Sequence, residues 1–403
     1  MNNVQPLLST IVPAVLILAA PLGVAGQNIG IGFATLAFVI FCFNDRARSL
    51  KSALKNPLVL RYLILWMLVI LPIFVATIAR GDFKEAARFI LGYSLVLPLL
   101  VISLTLSHAP LNKSFIIKFS SIILSIVAVV ALSQILIGWQ ITESQVTSQI
   151  RRAQGFYSHP LTLAYSALLI MPLTVARLIA KPKELISQAL AVSIIIIVIA
   201  SQSVTVIALT ILTSAILCLR LLKPAQLGIV AILAAIVGTS AVTIPNPIAN
   251  KFQTVMHGQR GDHETPYMDD RMAFWHAHWE MLKDAPVTGH GSGISREMRK
   301  PYYEKIGLGE IKRMYEAHNM YLQYAVEGGV LSAIGFFAFL IWWFLKMRSS
   351  TAIEPWLHWA LVLTPLTFAL GGLTQNAIQD SEVRYMCLLI CALSFFKTAG
   401  NEI

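Results

Sequence analysis

Apolar runs of about 20 residues recur along the whole chain, separated by shorter segments carrying Pro, Gly, Lys or Arg. A helix of that length crosses a hydrocarbon core of roughly 30 Å. Lipid cannot satisfy exposed backbone N–H and C=O groups, so each run is predicted to be helical. The pattern predicts about twelve helices, near 6–25, 28–43, 59–79, 87–107, 115–138, 161–180, 186–201, 203–222, 226–244, 327–347, 355–375 and 382–398. The apolar stretch 186–222 is interrupted only by "SQS" at 201–203, and it is divided there because one helix of that length would overshoot a bilayer. The first run, "LLSTIVPAVLILAAPLGVAG", lacks a basic leader and reads as a retained helix. The expected fold is all-α: a polytopic integral membrane protein with about 12 transmembrane helices.

Composition supports this. The 403 residues are 56% hydrophobic and 13% charged, against about 25% charged in soluble domains, and mean hydropathy is +0.70. The net charge of +11 does not call for nucleic acid, because basic cytoplasmic loops account for most of it. With the N-terminus inside, the short inside loops hold twelve basic residues (including Lys181, Lys183, Arg220, Lys346 and Arg348) against four acidic ones, so both termini are expected in the cytoplasm. Cys42, Cys218, Cys387 and Cys391 lie in or beside apolar runs without metal-ligand spacing and read as small apolar filler.

This orientation exports two loops, 139–160 and 245–326. The longer one carries ten basic residues, ten acidic ones and six of the nine histidines, and its length predicts a folded cap. Three regions follow: helices over 1–244, a partly helical periplasmic loop over 245–326, and helices over 327–403. Within the loop, "DDRMAFWHAHWEMLKDAP" reads as a helix with Phe274, His278 and Met281 or Leu282 on one stripe. His276 and His278 are two apart and face different ways, so they do not share a metal. "SREMRKPYYEKIG" reads as a second, short amphipathic helix. "GHGSG" around His290 is not followed by the Lys-Ser/Thr of a phosphate loop. Tyr302 and Tyr303 are candidates for stacking on sugars or for interfacial anchoring.

Four segments together are similar to one family. "HNMYLQYAVEGG" offers a His, an amide, a Leu four positions after the His and a small-residue turn. "RRAQGFYSHPLTLAYSALLIMP" offers Arg-x-x-Gly followed by Pro and an apolar helix. "DDRMAFWHAHWEMLKDAPVTGHGSG" offers Arg, an aromatic and Pro-x-x-Gly-x-Gly, and "DSEVRYMCLLICA" opens the last span. The chain resembles the O-antigen ligase and polymerase superfamily, with a GT-C-like architecture. One feature departs: Val204 stands where such proteins often carry an arginine after a Ser-Gln-Thr-like turn.

The resemblance implies transfer of a glycan from undecaprenyl pyrophosphate to a sugar hydroxyl of lipid A–core, at the periplasmic face of the bacterial inner membrane. A sugar hydroxyl benefits from a base near neutral pH, as an imidazole is, and His318 is that candidate. The pyrophosphate leaving group gains charge, which arginine forks stabilise. Arg152, Arg271 and Arg88 are the candidates, with Arg80 and Arg384 weaker ones. Each has a plainer reading: an ion pair with Asp269 or Asp270 for Arg271, an exposed charge for Arg152, snorkelling to lipid phosphate for Arg88. Asn319 either contacts a sugar or caps the following helix. No metal or other cofactor is expected. The partners implied are the lipid-linked glycan, the lipid A–core acceptor and membrane lipid. Alternatives of the same chemistry are a polymerase joining two carrier-linked repeats and a protein O-oligosaccharyltransferase. A secondary transporter fits less well, because charges are few within the spans and no internal repeat is visible.

Overall fold

The computed structural model describes residues 4–44, 55, 57–91, 113–138, 152–228, 270–309, 314–349 and 354–394, and all regular structure among them is helical. The helices are α1 (Val4–Ala19), α2 (Gly23–Asn44), α3 (Pro57–Ala79), α4 (Phe83–Phe89), α5 (Lys113–Leu136), α6 (Pro160–Ala180), α7 (Leu185–Ser201) and α8 (Val204–Leu221). They continue with α9 (Asp270–Asp284), α10 (Arg296–Lys305), α11 (Met320–Arg348), α12 (Pro355–Gly371) and α13 (Ser381–Leu393), with 3-10 turns at Ala20–Leu22 and Ala377–Gln379. Six apolar segments among the described residues are long enough to cross a membrane. Large apolar side chains such as Ile29, Ile64, Val129 and Ile211 point outward from them, as a lipid-facing surface requires. The expected spans 87–107 and 226–244 lie mostly outside the described residues, as does 245–269 of the long loop.

One of those apolar segments, Ile11–Leu36, is bent back on itself. A Cβ on Gly30 would stand 3.7 Å from the Val15 carbonyl oxygen, whereas a straight helix would separate residues that far apart in sequence by roughly 22 Å. The reversal sits at Gly23, whose φ of 68° is one that glycine adopts without strain. The division at "SQS" is also present: Gln202 takes a left-handed conformation (φ 51°) between α7 and α8.

Helix α6 is the most buried of the six apolar segments and packs against α7, α8, α12 and α13. The most extensive helix pair is α3 with α11. Gly335 permits it, since a Cβ there would lie 2.9 Å from the Leu68 backbone, and Ser332 Oγ donates to the Val69 carbonyl at 2.7 Å. Close approach at small residues, with hydroxyls bonded across the seam, is how helices adhere where lipid removes the hydrophobic drive. Tyr62 and Trp66 close the pair edge-on against Phe339 (5.7 and 5.5 Å). Cys387 and Cys391 are fully buried in the same core.

Helix α11 differs from the expected span over 327–347. It begins at Met320 and is broken at Gly328 and Gly329, the latter at φ 71° and ψ −179°. The break is filled by the loop after α9. His290 N–H donates to Val326 O and Gly291 N–H to Glu327 O (both 2.8 Å), while Val330 N–H donates to Pro286 O at 2.8 Å. Those three bonds satisfy groups that a broken helix leaves unpaired. The glycines of "PVTGHGSG" therefore serve backbone contact. A Cβ at Gly289 would meet Glu327 O at 2.4 Å, and one at Gly291 would meet the Thr77 backbone at 2.8 Å.

Helices α9 and α10 form a small cap. Ala273, Phe274, Ala277, Tyr303, Leu308 and Met314 make its core, and Met281, Leu282 and Ile294 bury themselves against Ala325 and Val326 of α11. The expected stripe of α9 is thus its inner face, with His278 fully buried and His276 exposed. Glu280 joins the helices by pairing with Lys283 (2.5 Å) and Lys305 (2.9 Å). Tyr303 is corrected as a sugar-stacking candidate: it is fully buried, edge-on to Phe274.

Candidate functional site

The segment 152–159 is fixed by a buried amide. Gln134 Oε1 accepts from the N–H groups of Gln154 (3.0 Å) and Gly155 (2.8 Å), and its Nε2 donates to Gly155 O (2.8 Å). Ala153 N–H donates to Ala200 O (2.9 Å) and Tyr157 Oη to Ala20 O (3.1 Å). Pro160 opens α6 at N1, where its missing N–H costs nothing, and His159 caps it, Nδ1 accepting from Leu161 N–H at 3.1 Å.

This frame sets Arg152 at the turn between α7 and α8. Its Nε donates to Ser201 O at 3.0 Å. Its Nη2 is buried with no hydrogen-bond partner among the described residues. Arg152 thus brings a cation to the turn where Val204 lacks one. Burial lowers its pKa. His159 is lowered as well, by burial first and then by the charges of Arg152 and His318.

His318 is held in the left-handed region at φ 48°, a conformation that costs a non-glycine residue on the order of 1 kcal/mol or more. An amide and two aromatic rings help set its ring. Nδ1 lies 2.8 Å from Gln375 Oε1, and Phe274 and Tyr315 face the imidazole at 5.5 and 6.1 Å. With the Gln375 oxygen at Nδ1, that nitrogen carries the proton and donates, so Nε2 holds the lone pair.

Asn319 is the N-cap of α11. Its Oδ1 accepts from Tyr321 and Leu322 N–H (3.0 Å each) and its Nδ2 donates to Leu373 O at 3.1 Å. Met320 N–H to Gly372 O (2.8 Å) and Tyr321 Oη to Ala369 O (2.9 Å) complete the seam with the end of α12. Arg271 approaches from α9, near enough for its charge to act on the Tyr165 hydroxyl. That hydroxyl itself donates to Gly371 O at 3.1 Å. His318, His159, Arg152 and Arg271 are therefore drawn to one end of the bundle by α6, α9 and the α12–α13 turn.

Beneath them lies a layer that the sequence reading did not name. Glu327 accepts from Gln323 Nε2 (2.9 Å) and from Gln379. Asn376 Nδ2 donates to Glu316 (3.0 Å) and Thr162 Oγ1 to Asp380 (2.8 Å). Arg384 acts on Asp380, whose carboxyl is pushed up to about 7 by burial and then by the neighbouring Glu382 and Glu316 charges. The signal was the amide-rich "TQNAIQD" at 374–380, dense in hydrogen-bonding side chains between two apolar runs.

The other arginines divide. Arg80 donates to His290 O (2.8 Å) and Ser292 O (2.5 Å), so it clamps the loop inserted into α11. Arg88 is largely exposed and pairs with Glu85 at 2.9 Å.

His278 lies behind the site with Nδ1 donating to Phe274 O at 2.8 Å. Burial first, and then the Arg299, His318 and His290 charges, lower its pKa to about 3. The folded value is below the unfolded value of about 6.5, so its contribution to stability is complete above pH 6.5. It is lost as pH falls from there toward 3, at up to roughly 1.4 kcal/mol per unit. The melting temperature of the detergent-solubilised protein is expected to drop between pH 6.5 and 4.5, and to drop less steeply in His278→Leu. Equal slopes for the two proteins would refute this origin.

The model of the family described as O-antigen ligase matches residues 189–337, a region holding Arg271, His318 and the broken helix, with Arg152 and Gln375 outside it. No curated protein matches the chain. The family read from the motifs is the one whose model matches, and residues 189–337 are similar to the O-antigen ligase family.

Proposed function

We propose that this protein is an O-antigen ligase, moving a glycan from undecaprenyl pyrophosphate to a sugar hydroxyl of lipid A–core. The observation that carries the reading is that His318, with Nε2 as its acceptor nitrogen, lies at the same end of the bundle as Arg152 and Arg271. The acceptor hydroxyl gives its proton to Nε2 as its oxygen bonds to the anomeric carbon. The bond from that carbon to the pyrophosphate oxygen breaks, and the electron pair leaves with the pyrophosphate. The arginines meet the growing charge, a type of stabilisation worth about 3–4 kcal/mol per donor in water-excluded sites. Attack opposite the leaving group inverts the anomeric centre. Arg88 is retained as a headgroup contact of the carrier lipid.

Orientation follows from charge. Lys181, Lys183, Arg220, Lys346 and Arg348 sit at the helix ends away from His318, so the positive-inside rule turns the site toward the periplasm of the inner membrane, with both termini in the cytoplasm. The test supplies the purified full chain with lipid-linked glycan and lipid A–core, and follows acceptor size on a gel with and without EDTA. Transfer to the core in both conditions is expected. Lengthening of the donor glycan with the core untouched would replace this reading by the polymerase.

A further inference from the structure

We infer that the chain holds a phospholipid in an intramembrane chamber whose polar end lies at the far side of the bundle from His318. A cavity of about 820 Å³ runs along α6 from Tyr157 to Arg177, between α1, α5, α7, α13 and the facing ends of α11 and α12. That volume lies in the range of sites that enclose small molecules. Its walls are apolar (Ile123, Val127, Leu163, Ala167, Ile170).

The far end is different. Arg177 is 7% exposed. Its Nη2 pairs with both carboxylate oxygens of Glu184 at 2.9 Å, and its guanidinium lies 5.5 Å from the Trp356 ring centre. Its Nε is buried without a hydrogen-bond partner among the described residues. Lys181 and Lys346 line the same end. A buried arginine with an unused donor, flanked by two lysines at the mouth of an apolar chamber, fits the phosphodiester of a lipid whose chains fill the chamber. Trp356 supplies the ring that membrane proteins place at headgroup depth.

Arg177 lies 18 residues along α6 from His159, or about 27 Å at 1.5 Å per residue. That is close to the hydrocarbon thickness of roughly 30 Å. The phosphate bound at Arg177 therefore belongs to the leaflet opposite the one His318 faces. It is separate from any pyrophosphate held at Arg152.

The test is a thermal shift on delipidated full-length protein in detergent. The probes are dioleoyl phosphatidylglycerol, dioleoyl phosphatidylethanolamine, dioleoylglycerol and inorganic phosphate. Both phospholipids are expected to raise the melting temperature by several degrees, dioleoylglycerol by less, and phosphate not at all. Arg177→Gln removes the advantage of the phospholipids over dioleoylglycerol, Ala167→Phe removes the response to all three lipids, and Lys183→Gln changes neither. Where Ala167→Phe fails to fold, the Arg177→Gln comparison decides. Equal shifts from phospholipid and dioleoylglycerol in the wild type overturn the proposal. Displacement of bound phospholipid by polyprenyl phosphate overturns it as well, because the chamber would then hold the carrier's tail.

Discussion

His318→Ala is expected to lower glycan transfer by about 10²–10⁴-fold, the range a positioned general base supplies, while donor binding is little changed. Two neighbouring histidines among the described residues are otherwise engaged. His159 has Nδ1 engaged with Leu161 N–H, and His278 has Nδ1 bonded to Phe274 O and is fully buried. The role of Gln375 is separable from packing. Gln375→Leu removes the acceptor that fixes the Nδ1–H tautomer and lowers the turnover number with little change in KM. Gln375→Glu sets a carboxylate beside Nδ1, favours the imidazolium and moves the acid limb of the rate profile to higher pH. Single-turnover rates against pH for the three variants check this. A wild-type rate in His318→Ala would remove the base assignment and leave the arginines as the site.

The second large effect is structural. Gly329→Ala is expected to destabilise the protein by on the order of 4–6 kcal/mol, from two sources. The backbone of Gly329 lies in a region that side chains avoid, at about 1–3 kcal/mol. The added methyl would also stand 2.1 Å from Val287 O. The loop would have to withdraw, releasing the bonds at Val326, Glu327 and Val330, each worth about 1 kcal/mol. Gly32→Ala is the control, since a Cβ there meets nothing within 4 Å, and it should lie within about 0.5 kcal/mol of wild type. Thermal melts in detergent compare the two directly, and similar melting points would show that the loop yields cheaply.

Much of the helical order was legible because lipid imposes it. Runs such as 57–79 and 160–180 have no other use for so many consecutive apolar residues. "SQS" announced a break, and Gln202 makes it by turning left-handed. The break at Gly328–Gly329 was readable as a turn, yet helix continues on both sides of it. The loop that permits this lies some forty residues earlier, and no local period reports a pairing across that distance. The site divides in the same way. His318, Arg152 and Arg271 stood out as polar groups where the membrane reading had no need of them. Gln375, Asp380 and Glu327 did not, because their function depends on which turns meet at one end of the bundle. Arg80 has a second use that the sequence did not announce: it donates to two carbonyls of its own chain.

The loop spliced into α11 also limits how the enzyme can move. Helices α9 and α10 are bonded through 286–291 to the backbone on both sides of the break, ten residues in sequence after His318. These bonds tie the cap to the helix that follows His318, so the cap does not swing open as a hinged lid while His318 stays in place. For the proposed transfer, glycans would enter and leave sideways, past the cap's edge, and a cross-link between α9 and α11 is expected to leave turnover intact.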